Sequence, residues 1–163
     1  MIRIMFNIEE LTQRLDVAAT KLGDMTPVHE DIGDYMVRQT KLRFVSGIDP
    51  YGTRWRPKKP STIERYKAQG DGNKTKPLIG PSGRLGKEIY FLASRSETEI
   101  GSALEYSGVM QGGAAKGAFG RNARGGPLPW GTIPARPFLG LSDADERSIL
   151  DIVDEHLAEA IGE

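Results

Sequence analysis

The chain has 163 residues, with 22 basic and 22 acidic residues, two histidines and no cysteine. This length predicts one domain, residues 1–163, with a core large enough to fold alone, and the missing cysteine excludes disulfide bonds and thiolate metal sites. No apolar run is long enough to span a membrane, and Glu9 and Glu10 fall where a secretory leader would continue apolar, so we expect no signal peptide.

The charge is unevenly distributed along the chain. Residues 1–35 carry three basic and seven acidic residues, residues 54–87 carry ten and two, and residues 142–163 carry one and eight, for net charges of −4, +8 and −7. These segments are either solvated faces that keep the protein soluble or complementary surfaces that pair between copies. A third reading places the basic middle near nucleic acid.

The N-terminal part predicts a pair of antiparallel helices over residues 8–46. The first helix runs to about Leu22, and Pro27 stands at the first position of a second helix that ends near Ser46. Gly33 is expected only to weaken the second helix locally. The residues expected on the buried side of that helix are Val28, Ile32, Tyr35, Met36, Leu42 and Phe44.

Residues 47–141 predict loops around a small sheet, and a turn opens this region. Asp49, Pro50 and Gly52 form the turn signal, because proline presets φ and glycine accepts a positive φ. Trp55 follows directly. We expect it to pin the turn to the body of the protein rather than to stack on a ligand.

From residue 87 the hydrophobic pattern takes the period of a strand. Residues 89–93 alternate and predict a strand that is buried on both faces or at an interface. Residues 95–97 predict a hairpin turn, and residues 98–102 its antiparallel partner, with Ile100 inward. A single helical turn is expected over residues 106–111.

Residues 112–131 form a long loop that contains seven glycines, and residues 107–141 contain no acidic residue. A loop this long inside a compact domain is either functional or disordered in the free protein. Its apolar residues Phe119, Leu128 and Trp130 argue against a mere spacer. We therefore expect a partner subunit to order this loop.

Residues 133–142, with the sequence IPARPFLGLS, predict a rigid docking peptide. Two prolines fix the backbone on either side of Arg136. Its guanidinium is expected to bond a carboxylate or backbone carbonyls, either as an intrachain brace at the base of the next helix or across a subunit interface. Phe138, Leu139 and Leu141 offer apolar groups to a core.

Residues 142–161 predict a C-terminal amphipathic helix, in which Ser142 and Asp145 form a near capping box. His156 lies at the edge of the apolar face and is expected to be packed rather than a ligand. The apolar face consists of Ile149, Ile152, Val153, His156, Leu157 and Ala160. The acidic face consists of Asp151, Asp154, Glu155 and Glu159.

The sequence offers no constellation for catalysis, for a cofactor or for a metal. His29 and His156 lie in separate predicted helices, which gives neither a zinc site nor a Ser–His–Asp site. The glycine-rich loop contains neither GxxxxGK[ST] nor GxGxxG. In residues 54–59, basic side chains alternate with a tryptophan and a proline, a pattern that only weakly indicates nucleic-acid binding. We expect a protein that is not an enzyme.

Four short motifs occur in order from residue 44 to the end of the chain. They are FxxGIDPYGTRW from residue 44, LIGPSGRL from residue 78, YSGVMQG from residue 106 and PARPFLGLS from residue 134. Together they resemble the DPxGxxW, Lxx[ST]GxL, YAxxhQxG and PARPFLG[IL]S motifs of the phage virion morphogenesis family, the tail-completion proteins of Mu-like tailed phages and prophages. Ser107 and Met110 stand where that family more often has Ala and His.

The resemblance implies an α+β subunit of a tail-terminator-like ring, usually a hexamer, that caps the tail tube. It implies a structural virion protein of the phage neck, made in the cytoplasm of the host bacterium, without catalysis, cofactor or membrane. The implied partners are other copies of the chain, the tail tube protein and the head-closure or connector proteins. The alternative is a head-closure protein or a protein that contacts genome DNA in the neck channel. An enzyme of lysis or packaging is the least favoured class.

Two segments are expected to reach a neighbouring subunit or the adjoining ring, residues 112–131 and the basic residues 54–76. The acidic C-terminal helix is the candidate to receive one of them. The individual residues expected at subunit interfaces are Arg136, Phe119, Arg121, Arg124, Trp130, Trp55, Lys58 and Lys59.

Overall fold

A computed structural model of the chain describes residues 19–161 together with residues 13 and 17. Its elements are α1 (Thr26–Ser46), α2 (Pro60–Ala68), α3 (Arg84–Lys87), β1 (Ile89–Ala93), β2 (Thr98–Ser102), α4 (Ser107–Gly112) and α5 (Asp143–Ile161). The two strands pair antiparallel, which confirms the α+β class. Most of the predicted first helix lies outside the described residues. Residues 19–22 are helical, and a turn follows at Gly23.

Helix α1 is the central element, and it packs against the sheet, α3 and α5. A proline occupies its first turn, as predicted, because that position needs no backbone N–H donor. The helix ends at Gly47, whose φ of 72° is left-handed and whose N–H donates to the carbonyl of Arg43 at 2.8 Å. Glycine takes that φ without strain. Both predicted ends of this helix are confirmed.

The buried side of α1 differs from the prediction at adjacent positions. Val28, Met36 and Phe44 are buried as expected. Two further residues of the predicted set, Ile32 and Tyr35, are half-buried. Leu42 is 52% exposed, and Arg43 is buried instead. A buried arginine needs polar partners, and Arg43 finds them in Phe138, Gly140 and Asp145.

Gly33 allows the sheet to approach α1 closely. A Cβ atom on Gly33 would lie 2.3 Å from Cδ2 of Phe91 in β1, well inside contact distance. The expectation that Gly33 acts only as a weak helix former was therefore wrong, because the missing side chain is what makes room for the aromatic ring.

We expect Gly33→Ala to lower the free energy of unfolding by about 1–3 kcal/mol, because overpacking outweighs a gain of about 1 kcal/mol in helix propensity. Gly108→Ala is the matched control, since Gly108 also lies in a helix but a Cβ there meets open space. That variant should be neutral or more stable. Urea unfolding followed by circular dichroism measures both, and a stabilised Gly33→Ala would contradict the packing argument.

The core lies where the C-terminal half of α1, the sheet and residues 137–139 meet. Its buried members are Phe44, Trp55, Leu85, Ile89, Leu104 and Phe138. The ring centroid of Phe44 lies 5.5 Å from that of Trp55 and 5.4 Å from that of Phe138. Trp55 Nε1 donates to the carbonyl of Pro137 at 2.8 Å. This tryptophan pins the preceding turn to the body of the protein, as predicted.

Thr40 is fully buried on α1, and its Oγ1 has no hydrogen-bond partner among the described residues. We expect Thr40→Val to raise the free energy of unfolding by about 1 kcal/mol, because a methyl group replaces an unsatisfied hydroxyl of similar size. Thr40→Ser keeps the hydroxyl and removes the methyl, so it should be destabilised. Thermal unfolding of the two variants beside the parent chain tests the expectation. Equal destabilisation in both would contradict it.

The sheet is buried on one face only. Phe91 and Ile100 face α1 and the core, whereas Tyr90 is 39% and Leu92 59% exposed on the other face. The prediction of a strand buried on both faces is wrong within the subunit. The alternative, that this face lies at an interface, stays a prediction.

Residues 112–131, which we call the arm, fold back on themselves as an irregular hairpin. The backbone N–H of Phe119 donates to the carbonyl of Leu128 at 2.7 Å, and that of Asn122 donates to the carbonyl of Gly126 at 2.8 Å. The side chain of Asn122 also accepts from the backbone N–H of Gly126 at 2.9 Å. The chain itself supplies these backbone bonds, and the ordering of this loop by a partner subunit stays a prediction.

Candidate interaction surfaces

Residues 133–142 form the segment onto which distant parts of the subunit attach. Gln111 Oε1 accepts from the backbone N–H groups of Phe138 at 2.9 Å and Leu139 at 3.1 Å, and Gln111 Nε2 donates to the carbonyl of Leu139 at 2.8 Å. The side chain of Phe138 is 0% exposed, as predicted, whereas Leu141 is 46% exposed, contrary to the prediction. The rigid peptide therefore docks within its own subunit through its backbone and one aromatic ring.

Arg43 joins this peptide to α5. Its Nη1 donates to the carbonyls of Phe138 at 3.0 Å and Gly140 at 2.8 Å, and its Nη2 lies 2.5 Å from Oδ2 of Asp145. Asp145 is 3% exposed and also accepts from the backbone N–H and the hydroxyl of Ser142, which completes the predicted capping box. Arg43 is thus the brace at the base of the C-terminal helix.

The Asp145 carboxyl is held in its charged form by its neighbours. Burial raises its pKa, but hydrogen bonds from Ser142, the charge of Arg43 and a hydrogen bond from Tyr35 together lower the pKa below the ordinary aspartate value. A nearly buried ion pair of this kind stabilises the fold only while both partners are present.

Arg136 is buried and braces the basic segment instead of α5. Its Nε donates to the carbonyl of Arg56 at 2.8 Å, and its Nη2 donates to the carbonyl of Pro57 at 3.1 Å. Burial lowers its pKa, although a guanidinium remains charged. Arg136 therefore bonds backbone carbonyls of its own chain, as one version of the prediction had it, but the predicted place of this brace at the base of the C-terminal helix was wrong. A contact across a subunit interface stays a prediction.

We expect Arg136→Lys to lower the free energy of unfolding by about 1–2 kcal/mol, because an ammonium cannot span two successive carbonyls as the planar fork does. Arg38→Lys, at an exposed position of α1, is the matched control and should change stability by less than about 0.5 kcal/mol. Chemical denaturation followed by tryptophan fluorescence measures the difference. Identical midpoints for the two variants would contradict the brace.

A groove of about 630 Å³ opens beside Arg136, between α2, residues 78–85, the start of α4 and residues 130–136. Among the described residues, its lining contains no acidic side chain. We call it the basic groove. Its cations are Lys58, Lys59, Arg65, Arg84 and Arg136, and its aromatic residues are Tyr66, Tyr106 and Trp130.

Three of these cations already have hydrogen-bond or ion-pair partners within the chain, and those of Arg136 are the carbonyls of Arg56 and Pro57. Lys58 Nζ donates to the carbonyls of Lys74 and Ile79, the latter at 2.6 Å, and burial followed by repulsion from Arg136 lowers its pKa. Arg84 forms an ion pair with Glu88 at 2.6 Å. The charges left at the rim for a partner are therefore those of Lys59 and Arg65, which are both exposed.

The structure separates the predicted interface residues into three places. The exposed arm carries Phe119, Arg121 and Arg124. The basic groove brings together Lys58, Lys59, Trp130 and Arg136. Trp55 is 6% exposed and belongs to the core of its own subunit. Trp130 is 75% exposed and also lines a hollow on the arm, so it links the arm to the groove.

Helix α5 presents the acidic face that was predicted. Asp151, Asp154, Glu155 and Glu159 are exposed. On the opposite side His156 is half-buried, and its Nε2 lies 2.7 Å from Oδ2 of Asp31, in agreement with a packed histidine. Leu157 was expected on the buried face but is 37% exposed, because it lies toward the flank of the helix.

Arg43 and Gln111 are functional residues that sequence analysis missed. Arg43 follows Met36 and Thr40 at helical spacing, so the buried stripe of α1 could have revealed it. Gln111 lies inside the YSGVMQG motif, yet nothing local showed that its amide would bond residues 138 and 139.

In the part of the chain that the structure describes, no helix has the length and apolarity needed to cross a bilayer. Nor do three or more His, Asp or Glu side chains gather there in an arrangement that could hold a metal ion.

Comparison with known proteins identifies the family. No curated protein and no solved structure matches the chain. A family model described as the phage virion morphogenesis family matches residues 6–158, a span that contains the core, the arm, the basic groove and most of α5. The match confirms the resemblance carried by the four motifs and indicates a structural, virion-associated role. The chain belongs to the phage virion morphogenesis family.

Proposed function

We propose that the protein is a tail-completion protein of the tail-terminator kind. Copies of the chain form a ring, a hexamer in this proposal, that caps the tail tube in the neck of the particle and joins the tube to the head. The observation that carries the proposal is the arm, which is folded and yet leaves Phe119 57%, Leu128 36% and Trp130 75% exposed. Large apolar side chains kept in water on an ordered element are typical of an assembly surface.

The separation of charge supports the same proposal. The basic groove and the acidic face of α5 are unlike surfaces on one subunit, with net charges of +8 in residues 54–87 and −7 in residues 142–163. A contact between unlike surfaces is heterologous, and such contacts close into a ring when the rotation between neighbours fits. The exposed sheet face, with Tyr90 and Leu92, is then the surface that binds the tail tube protein or the head-closure or connector proteins.

The proposal is tested in particles. A phage whose gene for this chain is inactivated should accumulate separate heads and tails, and a plasmid copy of the parent gene should restore joined particles. In parent particles, electron cryomicroscopy should place the protein as a ring at the head–tail junction. A protein that is absent from purified particles, or found only at the distal end of the tail, would contradict the proposal.

The arm is tested in the same assay. Phe119→Ser combined with Trp130→Ser should fail to restore joined particles while the purified variant keeps its circular dichroism spectrum. Leu42→Ser, at a residue of α1 that is 52% exposed, is the matched control and should restore them. Full restoration by the arm variant would remove the observation on which the proposal depends.

A second candidate function, contact with genome DNA in the neck channel, is favoured by the basic groove. Exposed Lys59 and Arg65 beside Tyr106 and Trp130 suit a phosphate backbone and stacked bases. Electrophoretic shifts with duplex and single-stranded DNA test it, and binding should fall steeply between about 50 and 200 mM salt. The absence of any shift at low ionic strength would remove DNA contact as a primary role.

A further inference from the structure

Helix α5 carries a second apolar stripe that its own subunit leaves in water. Leu150, Leu157 and Ile161 are 62%, 37% and 55% exposed. Their spacings of seven and four residues place them along one flank of the helix, and Asp154 falls on the same flank. We call these four residues the α5 stripe. The buried side of α5 does not account for it, because Asp145 and Ala160 are the residues that α5 buries.

The basic groove has the chemistry that complements this stripe. Trp130 is 75% and Tyr106 43% exposed, so aromatic surface is available on its walls. Lys59 and Arg65 supply exposed positive charge at its rim, and the Arg65 guanidinium lies 5.7 Å from the centroid of the Tyr66 ring. The groove therefore offers apolar walls and cations to a helix that presents apolar side chains and a carboxylate.

The two surfaces do not meet within one subunit. Among the described residues, none of those that line the basic groove belongs to α5, which packs on α1 instead. A contact between them therefore joins two copies. Each copy can contact one neighbour through its α5 stripe and a second neighbour through its basic groove. That is the pairing of unlike surfaces that a closed ring requires.

We propose that the α5 stripe of one copy occupies the basic groove of the next copy. Leu150 and Leu157 pack against Trp130 and Tyr106, and Asp154 pairs with Lys59 or Arg65. The inference rests on the self-assembly proposed above, and it names the two surfaces that form the contact.

Charge reversal with rescue tests the pairing. Asp154→Lys alone and Lys59→Glu with Arg65→Glu should each weaken self-association in analytical ultracentrifugation by at least about tenfold, and the chain that carries all three changes should recover most of the loss. Glu155→Lys is the matched control, because Glu155 is exposed on the other flank of α5, and it should associate like the parent chain. Circular dichroism confirms that each variant is folded.

Disulfide trapping gives an independent readout, since the chain has no cysteine of its own. Thr132→Cys in the groove wall and Arg147→Cys beside the stripe leave every proposed contact in place. An oxidised mixture of these two single variants should yield a disulfide-linked heterodimer. Replacing Arg147→Cys in the mixture by Leu92→Cys, on the exposed sheet face, should leave only background.

The outcomes separate this inference from the proposed function. The first outcome is a parent chain that assembles in solution or in particles, while the charge reversals have no effect and Thr132→Cys forms no disulfide with Arg147→Cys. This outcome would overturn the docking and leave the ring proposal standing. A parent chain that stays monomeric at millimolar concentration and is absent from particles would overturn both. Loss of DNA binding in Lys59→Glu with Arg65→Glu, with self-association unchanged, would assign the groove to nucleic acid and also overturn the docking.

Discussion

Replacing Arg43 by methionine should lower the free energy of unfolding by about 3–5 kcal/mol, the usual cost of removing one partner of a buried ion pair. The change leaves Asp145 buried and charged without its cation, and it removes the donor from the carbonyls of Phe138 and Gly140. Because small domains are stable by only about 5–15 kcal/mol, this loss removes a large fraction of the total stability. Urea unfolding followed by the fluorescence of buried Trp55 measures the loss.

The control and the pH dependence make this expectation specific. Arg38→Met removes an exposed cation from the same helix and should change stability by less than about 0.5 kcal/mol. Asp145 has a lowered pKa in the folded chain, so its contribution is complete above the ordinary aspartate pKa of about 3.9 and is lost as pH falls through the lowered value. The stability difference between the parent chain and Arg43→Met should therefore shrink in acid. A difference that is constant with pH would contradict the ion-pair explanation.

Replacing Phe138 by alanine should also cost about 3–5 kcal/mol, because the ring is 0% exposed and its removal opens a cavity beside Phe44 and the rest of the core. The expected result is a lower denaturation midpoint with an unchanged slope, measured by urea titration at two probe wavelengths. The loss arises from packing, so it should persist at every pH at which the parent chain is folded.

Leu141→Ala is the matched control for Phe138→Ala. Both residues lie in the same rigid peptide, and the sequence predicts a core position for both, but Leu141 is 46% exposed in the structure. The control should cost less than about 1 kcal/mol. Comparable losses in the two variants would mean that Leu141 is packed as tightly as Phe138, against the exposure that the structure gives it.

Local patterns were sufficient to predict α1, the two strands, α4 and α5, but α2 and α3 fall in a region predicted as loops. Pro27 and Gly47 mark the two ends of α1, the Ser142 and Asp145 box marks the start of α5, and the change to a period of two marks β1. Each of these signals depends on residues within a few positions of one another. The same kind of reasoning failed for Leu42 and Arg43, because spacing alone does not tell which of two adjacent side chains has a polar partner inside the fold.

The contacts that hold the subunit together were not predictable in this way. Arg43 and Asp145 are separated by 102 positions, and Gln111 lies 28 positions from Leu139. No local pattern relates such residues. Composition also did not show that the backbone groups of the arm bond one another across an irregular hairpin.

The sequence indicated the chemical character of the candidate surfaces, but not which distant segments the fold brings together to form them. The basic run correctly indicated a cationic surface, but Tyr106 and Trp130, which make the groove aromatic, come from segments far along the chain. Trp55, although next to the basic run, turns inward, because its indole N–H finds the Pro137 carbonyl and its ring finds Phe44.

The position of the docking peptide in the chain has a consequence for biosynthesis. The elements that it fastens, from α1 through Trp55 to Gln111, are all translated before it. A nascent chain that has not yet released residues 133–145 from the ribosome lacks the partners of Arg43, Trp55 and Gln111, and its core lacks Phe138. We therefore expect a chain truncated before residue 133 to be much less stable than the full chain and more open to proteolysis, because Phe138 and its hydrogen-bonded neighbours are missing from the core.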